Sequence, residues 1–242
     1  MTARCGSRVI WHWAHSSRRH CDPWWENETA WHRQWKSHFP ESWREVVHHA
    51  SDGEKHVADV KTARGMTIEF QNSDMSPEEL QSREDFYGRM MWIVNATKFK
   101  ARLHILSPLP DPNAEFMSDI VFMQERAKRP GKNLQVIGPE LCFFRRSESG
   151  DNPGRGDMVE VHSFAEIKDQ IDAHHVGHYM FEWQRPRTVW YEANAPVFFD
   201  LGGPILWWLQ TYDNRGLRCV RRVEKAALVA KNGGAYSPEV SE

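Results

Sequence analysis

An α/β fold, a mixed central sheet flanked by helices, is what this sequence predicts, and three observations carry that reading. Between residues 26 and 95 the segments follow the order helix–strand–strand–strand–helix–strand. The last of them, Met90 to Asn95, is a continuous apolar run, the pattern of a strand covered on both faces. The chain of 242 residues is 40% hydrophobic and 26% charged, which supplies one large core and excludes wholesale disorder.

The elements follow in order. Residues 1–25 are irregular and rich in Trp, His and Cys. Glu26 to Phe39 reads as a helix, with Glu26 and Glu28 placing negative charge in its first turn and Pro40 stopping it. Three strands are predicted next: Arg44 to His49, His56 to Thr62 and Met66 to Gln71. Ser51-Asp52-Gly53 and Ala63-Arg64-Gly65 supply the turns between them. Ser76 to Tyr87 is the second helix, with Ser76 as N-cap, Pro77 at the first helical position and Glu79 completing a capping box.

Beyond residue 95 the pattern weakens. Pro108 to Asn113 reads as a proline-rich turn and Ser147 to Asp157 as a polar loop. Phe164 to His174 reads as an amphipathic helix that buries Phe164, Ile167 and Ile171. Val197 to Phe199 and Ile205 to Leu209 read as a β-hairpin around Asp200-Leu201-Gly202-Gly203-Pro204. Residues 26–230 are expected to form one domain, its core at 26–95 and its later part a β-rich elaboration. Residues 231–242 are expected to be a disordered tail.

The net charge of −2 excludes a protein that coats nucleic acid by charge alone, and leaves room for a local basic groove. No apolar run approaches the roughly 18–20 residues that span a bilayer, so no membrane partner is expected. Cys5, Cys21, Cys142 and Cys219 form no Cys-x-x-Cys pair, and the first residues carry no basic-then-apolar leader. A reduced, cytoplasmic setting is the expectation.

The chemistry centres on Asp59 and Glu69. On the strand reading, alternation puts Val57, Asp59 and Lys61 on one face, and Thr67, Glu69 and Gln71 on one face; Val60, Ile68 and Phe70 go to the other. Two carboxylates on neighbouring strands make a hard-oxygen site for Mg²⁺ or Mn²⁺, an ion able to polarise a phosphodiester. Glu28, His32 and Lys36 recur at helical spacing and form one stripe beside a second stripe of Trp31 and Trp35. That stripe brings Glu28 toward the metal and Lys36 toward a phosphate.

These residues resemble a family. Glu28-x-x-x-His32-x-x-x-Lys36, Ala58-Asp59-Val60, Ile68-Glu69-Phe70-Gln71-Asn72-Ser73, Arg83-x-x-x-Tyr87 and Trp92-Ile93-Val94 resemble the competence protein CoiA-like nucleases. That family belongs to the PD-(D/E)XK, restriction-endonuclease-like superfamily. Trp11-His12-Trp13-Ala14-His15 is similar to the His-Phe-Ala-His stretch that precedes the nuclease core there, and the resemblance spans about residues 5–95. It implies an α-β-β-β-α-β core and a Mg²⁺-dependent DNA nuclease working in DNA uptake, recombination or defence. Asp59 and Glu69 would be metal ligands, with Glu28 as the helix acid. Gln71 stands where the superfamily motif has lysine, as it commonly does in CoiA-like members; glutamine can hold a water but supplies no charge, which leaves that role to Lys61 or Lys36. The alternative is a weakly active or inactive single-strand-binding accessory protein of recombination.

Other residues carry two readings each. Cys5, His12, His15 and Cys21 could form a zinc site, or belong to a Trp-rich cap on the first helix; the Cys-x-x-Cys knuckle of the family is represented only by Cys5. Arg83 and Tyr87 touch phosphate, or Arg83 pairs with Glu79 one turn away. Arg215, Arg218, Arg221 and Arg222, with Trp207 and Trp208 nearby, track a DNA strand or form a solvated face.

Overall fold

The first described helix begins at Ala30, capped by Thr29. The computed structural model describes the backbone of 2–6 and 9–14, residue 24, and residues 28–49, 55–124, 142–149, 157–213 and 216–238. Strands β1 (Thr2–Gly6) and β2 (Val9–Ala14) pair antiparallel, so part of the segment read as irregular is a hairpin. Helix α1 covers Ala30–Ser37. Thr29 Oγ1 accepts from the His32 amide, and the Thr29 amide donates to His32 Nδ1 at 3.1 Å. A histidine thus takes the reciprocal place that Glu or Gln fills in the usual capping box. The cap leaves Glu28 just outside the helix, where the sequence had placed it within the first turn.

Three antiparallel strands follow: β3 (Arg44–His49), β4 (Lys55–Lys61) and β5 (Thr67–Gln71). Helix α2 (Pro77–Tyr87) then carries the chain back so that β6 (Met90–Asn95) lies parallel to β5. Ser76 Oγ accepts from the Glu79 amide at 3.1 Å, whereas the Glu79 carboxylate pairs with Arg83. All six residues of β6 are buried, as its apolar run requires.

The later chain extends the same sheet. In chain order come β7 (Leu103–Leu109), β8 (Ile120–Phe122), β9 (Cys142–Arg145), a short α3 (Arg146–Ser149), β10 (His162–Ser163), α4 (Lys168–His174), β11 (His178–Trp183), β12 (Val197–Asp200), β13 (Ile205–Thr211), β14 (Arg218–Glu224) and α5 (Lys225–Lys231). The main sheet runs β3-β4-β5-β6-β12-β13-β14-β11-β7, and β8, β9 and β10 form a small one beside it. Strands β5, β6 and β12 are parallel neighbours, so the sheet is mixed.

Several expectations are corrected here. Pro108 lies inside β7, opposite Tyr179; β7 is one of the sheet's two outer strands, where a missing N–H costs no ladder bond. Phe164 to His174 breaks at Ile167 into a 3₁₀ turn and α4, with Ile167 and Ile171 buried and Phe164 partly so. The tail expected to be disordered is docked as far as it is described: the Ala235 amide donates to the His38 carbonyl at 2.8 Å, and Tyr236 packs on the His38 ring. Among the described residues no helix is long and apolar enough to cross a membrane.

Alternation along β5, β6 and β12 feeds two of the three cores found among the described residues. Trp92, Val94 and Phe199 pack with Leu80 of α2 on one face; Ile93, Phe198, Ile68 and Phe70 pack with Trp35 of α1 and Val229 of α5 on the other. One buried carboxylate ties α1 to the sheet. Asp200 Oδ2 accepts both indole N–H groups of α1, Trp31 at 3.0 Å and Trp35 at 2.9 Å. Asp200 Oδ1 accepts the Gly202 amide and the Lys225 ammonium, each at 2.8 Å.

Candidate functional site

Register decides which acids meet. Arg44 pairs with Val60 and Val46 with Ala58, so Glu45 falls opposite Asp59; Val60 pairs with Ile68, so Asp59 falls opposite Glu69. Three carboxylates therefore stand in one row across β3, β4 and β5. Like charges directly opposite are unfavourable, and the ladder gives way on both sides of Asp59. On one side Glu45 adopts a left-handed φ of 52°. On the other the side chains replace the ladder: Asp59 Oδ2 accepts the Phe70 amide at 2.9 Å, and Glu69 Oε1 accepts the Asp59 amide at 3.3 Å.

Two cations balance the row. Lys36 Nζ lies 3.0 Å from Asp59 Oδ1, 3.2 Å from Glu45 Oε1 and 3.3 Å from Glu28 Oε1. Burial opposes its charge, but Asp59 first and then Glu45 outweigh burial and raise its pKa well above the usual lysine value. Arg83 reaches Glu69 Oε2 at 3.3 Å, Glu79 Oε1 at 2.5 Å and the Trp24 carbonyl at 2.8 Å, and lies over the Trp24 and Trp92 rings. His32 Nε2 donates to the Phe70 carbonyl at 2.8 Å while Nδ1 accepts from Thr29, which pins α1 to β5 between Glu69 and Gln71.

These groups line one cleft of about 290 Å³. Glu28, Asp59, Glu69, Lys36 and Gln71, the residues singled out in the sequence, all border it, together with Glu45, His32, Arg83 and Trp24. Four carboxylates, those of Glu28, Glu45, Asp59 and Glu69, border the cleft beside the cations Lys36 and Arg83. Among the described residues no three His, Cys, Asp or Glu side chains form a ready-made metal cage. The donor chemistry nonetheless fits Mg²⁺ or Mn²⁺, since such ions take one or two carboxylates and keep several waters. Asp59 and Glu69 are the pair that would hold one.

Four expected site residues are engaged by neighbouring side chains. Lys61 Nζ donates to Thr67 Oγ1 at 2.9 Å, toward the hairpin turn and away from the cleft, and burial followed by Arg89 lowers its pKa. The Gln71 amide donates to Ser73 Oγ at 3.1 Å, so it folds the turn after β5 and only its carbonyl is left to hold a water. Of the two readings of Arg83, the pairing with Glu79 one turn away is the one observed; Arg83 is buried and also pairs with Glu69 rather than standing exposed for phosphate. Tyr87 is buried against Trp24, His48 and Phe86, which removes it from any DNA surface.

The basic cluster does not converge on the cleft. Its strand, β14, lies four positions from β5 in the sheet, roughly 19 Å at the usual strand spacing. Arg218 stacks on Tyr191 at 4.2 Å, Arg221 sits opposite Trp208, and Arg222 lies 3.6 Å from Glu224. Arg215 and the expected zinc site of Cys5, His12, His15 and Cys21 lie outside the residues whose side chains are described. Glu45 was missed in the sequence; counting register back from Val60 on the predicted hairpins would have placed it beside Asp59. Comparison with protein-family models, with curated proteins and with solved structures found no match.

Proposed function

We propose that this chain is a metal-dependent DNA nuclease with a restriction-endonuclease-like core of the CoiA-like kind. The observation that carries the reading is the side-by-side placement of Asp59 and Glu69 on a hairpin whose ladder opens at that row, with Glu28 and Lys36 on the same cleft. The order α1, β3, β4, β5, α2, β6 also supports it, with three antiparallel strands and the fourth joined in parallel through α2.

Asp59 and Glu69 would hold a Mg²⁺ or Mn²⁺ ion, which when bound would supply Lewis acidity to a phosphodiester and lower the pKa of a water. The chain's own residues do the rest. Lys36 places positive charge beside the carboxylates, Arg83 holds the Glu69 carboxylate, and His32 fixes the strand between Glu69 and Gln71. DNA is the substrate, and the cytoplasm, with recombination proteins as partners, is the setting this reading implies.

A second reading is a DNA-binding accessory protein with weak cleavage or none. Two observations favour it: the Gln71 amide is taken by Ser73, and protein cations already engage both carboxylates. Cleavage of single- and double-stranded DNA, with and without Mg²⁺ or Mn²⁺, separates the two. The nuclease reading expects metal-dependent cleavage that falls at least about 100-fold in Asp59→Asn and in Glu69→Gln. Binding without cleavage selects the second reading, and cleavage that survives both substitutions removes the site assignment.

A further inference from the structure

We infer that Lys36 is a resident counter-ion standing where a divalent cation would enter, and that Glu45 takes its ammonium over when the ion arrives. The inference rests on the metal-dependent reading and assigns Glu45 a positioning role in it.

A cation already occupies the acidic row. The Lys36 ammonium touches three carboxylates within 3.3 Å, and its side chain is only 11% exposed. Its contacts run outward. Asp59, one of the two carboxylates that would hold the ion, is 23% exposed; Glu45 is 63% exposed and stands at the mouth. A dication on Asp59 and an ammonium 3.0 Å from the same carboxylate repel each other at close range. One must move, and a flexible four-carbon stem lets the ammonium move without any backbone change.

Glu45 is built to receive it. It stands opposite Asp59 in register, with a left-handed φ of 52° inside β3, and its carboxylate reaches Lys36 at 3.2 Å. A non-glycine residue rarely adopts this conformation in a strand. The other cation of the cleft is unsuited to such a move. Arg83 is held by Glu69, Glu79 and the Trp24 carbonyl and lies over two indole rings. Ion entry is therefore an exchange of one charge for two at Asp59, and the affinity for the ion is set by how readily Lys36 leaves.

Two measurements on the full chain test this. In the wild type, lysine acylation read by mass spectrometry is compared with and without saturating Mn²⁺. Labelling of Lys36 is expected to rise severalfold, while Lys225, which pairs with Asp200, stays constant as an internal reference. Unchanged or reduced labelling of Lys36 overturns the inference, and this arm needs no variant to fold. In the second, free Mn²⁺ is titrated by electron paramagnetic resonance. Lys36→Met is expected to bind Mn²⁺ at least tenfold more tightly. Arg33→Met, which removes an exposed charge beside Glu28, is expected to change binding less than twofold. Glu45→Gln is expected to weaken binding in the wild type and to have no effect in the Lys36→Met background. An equal effect in both backgrounds would mean simple through-space charge and overturns the exchange. Mn²⁺ binding that is lost in Asp59→Asn but indifferent to Lys36→Met overturns the exchange and leaves the metal-dependent reading standing. No Mn²⁺ binding by either the wild type or Lys36→Met removes both.

Discussion

Asp200→Asn keeps the shape of a buried side chain and removes its charge. Asp200 is 1% exposed and accepts four donors: the indoles of Trp31 and Trp35, the Gly202 amide and the Lys225 ammonium. An asparagine has one acceptor oxygen for them, and its amide nitrogen must face either the two indole N–H groups or the ammonium and the Gly202 amide. Lys225, with a side chain 12% exposed and lying over the Trp35 ring, loses its counter-charge. Removing one partner of a buried pair costs about 3–5 kcal/mol, and each stranded donor about 1–3, without simple additivity. A net loss of about 4 kcal/mol follows, which at this chain length lowers Tm by roughly 8–16 °C. Urea unfolding gives the free energy, and hydrogen exchange shows where it falls: α1 amides should lose protection first, because both indole anchors belong to α1. In the cycle with Lys225→Met the two substitutions should couple by about 2 kcal/mol. A loss below about 1 kcal/mol, or unchanged exchange in α1, would refute the claim that this carboxylate holds α1, and with it Lys36, against the sheet.

Three further outcomes follow from the same contacts. Arg83→Met strands the Glu69 carboxylate, whose side chain is 6% exposed, and should cost about 3–5 kcal/mol in urea unfolding; Glu69→Gln in the same chain should recover part of it. Burial chiefly, aided by Lys225 at His38 and by Arg221 at His178, lowers the pKa of both histidines from 6.5. The unfolded chain therefore binds more protons, so the stability these groups contribute is present above pH 6.5 and is lost as pH falls through their folded values. Unfolding free energy measured between pH 7 and 5 should decline, and less steeply in His38→Gln and His178→Gln; an identical slope in the variants would contradict the assignment. A Cβ on Gly234 would lie 2.5 Å from the His38 carbonyl and 2.8 Å from Val229 Cγ1. Gly234→Ala should cost about 1–3 kcal/mol and speed tryptic cleavage after Lys231, and unaltered digestion would show that the tail is not docked there.

Much of the first half was legible from local chemistry. The turn residues after His49 and Thr62, the Ser76-Pro77 start of α2 and the apolar run of β6 each act within a few residues, and the elements lie where those signals put them. Boundaries failed where a side chain played an unusual part. His32 completes the cap of α1, which no Glu or Gln three residues after Thr29 announced. Pro108 reads as a stop and is tolerated because β7 is an outer strand, a fact of topology. The pairing of β6 with β12, and the bonds from Trp31 and Trp35 to Asp200, join residues more than 100 positions apart and leave no periodic trace.

The site was legible in its acids and not in their counter-charges. Alternation aligned Asp59 with Glu69, and the helix stripe brought Glu28 and Lys36 to them. Arg83 and Lys61 show why cations were harder. Each has a long stem and several reachable partners; burial sent Arg83 inward to Glu69 and left Lys61 on Thr67. Glu45 was hidden because it lies outside the hairpin that drew attention, although the same register count reaches it.

The most direct measurement is the anomalous difference density of a crystal soaked in Mn²⁺. The account predicts a peak beside the Asp59 and Glu69 carboxylates, with Lys36 withdrawn from Asp59. No peak there at saturating Mn²⁺, with Lys36 still seated on Asp59, would contradict it.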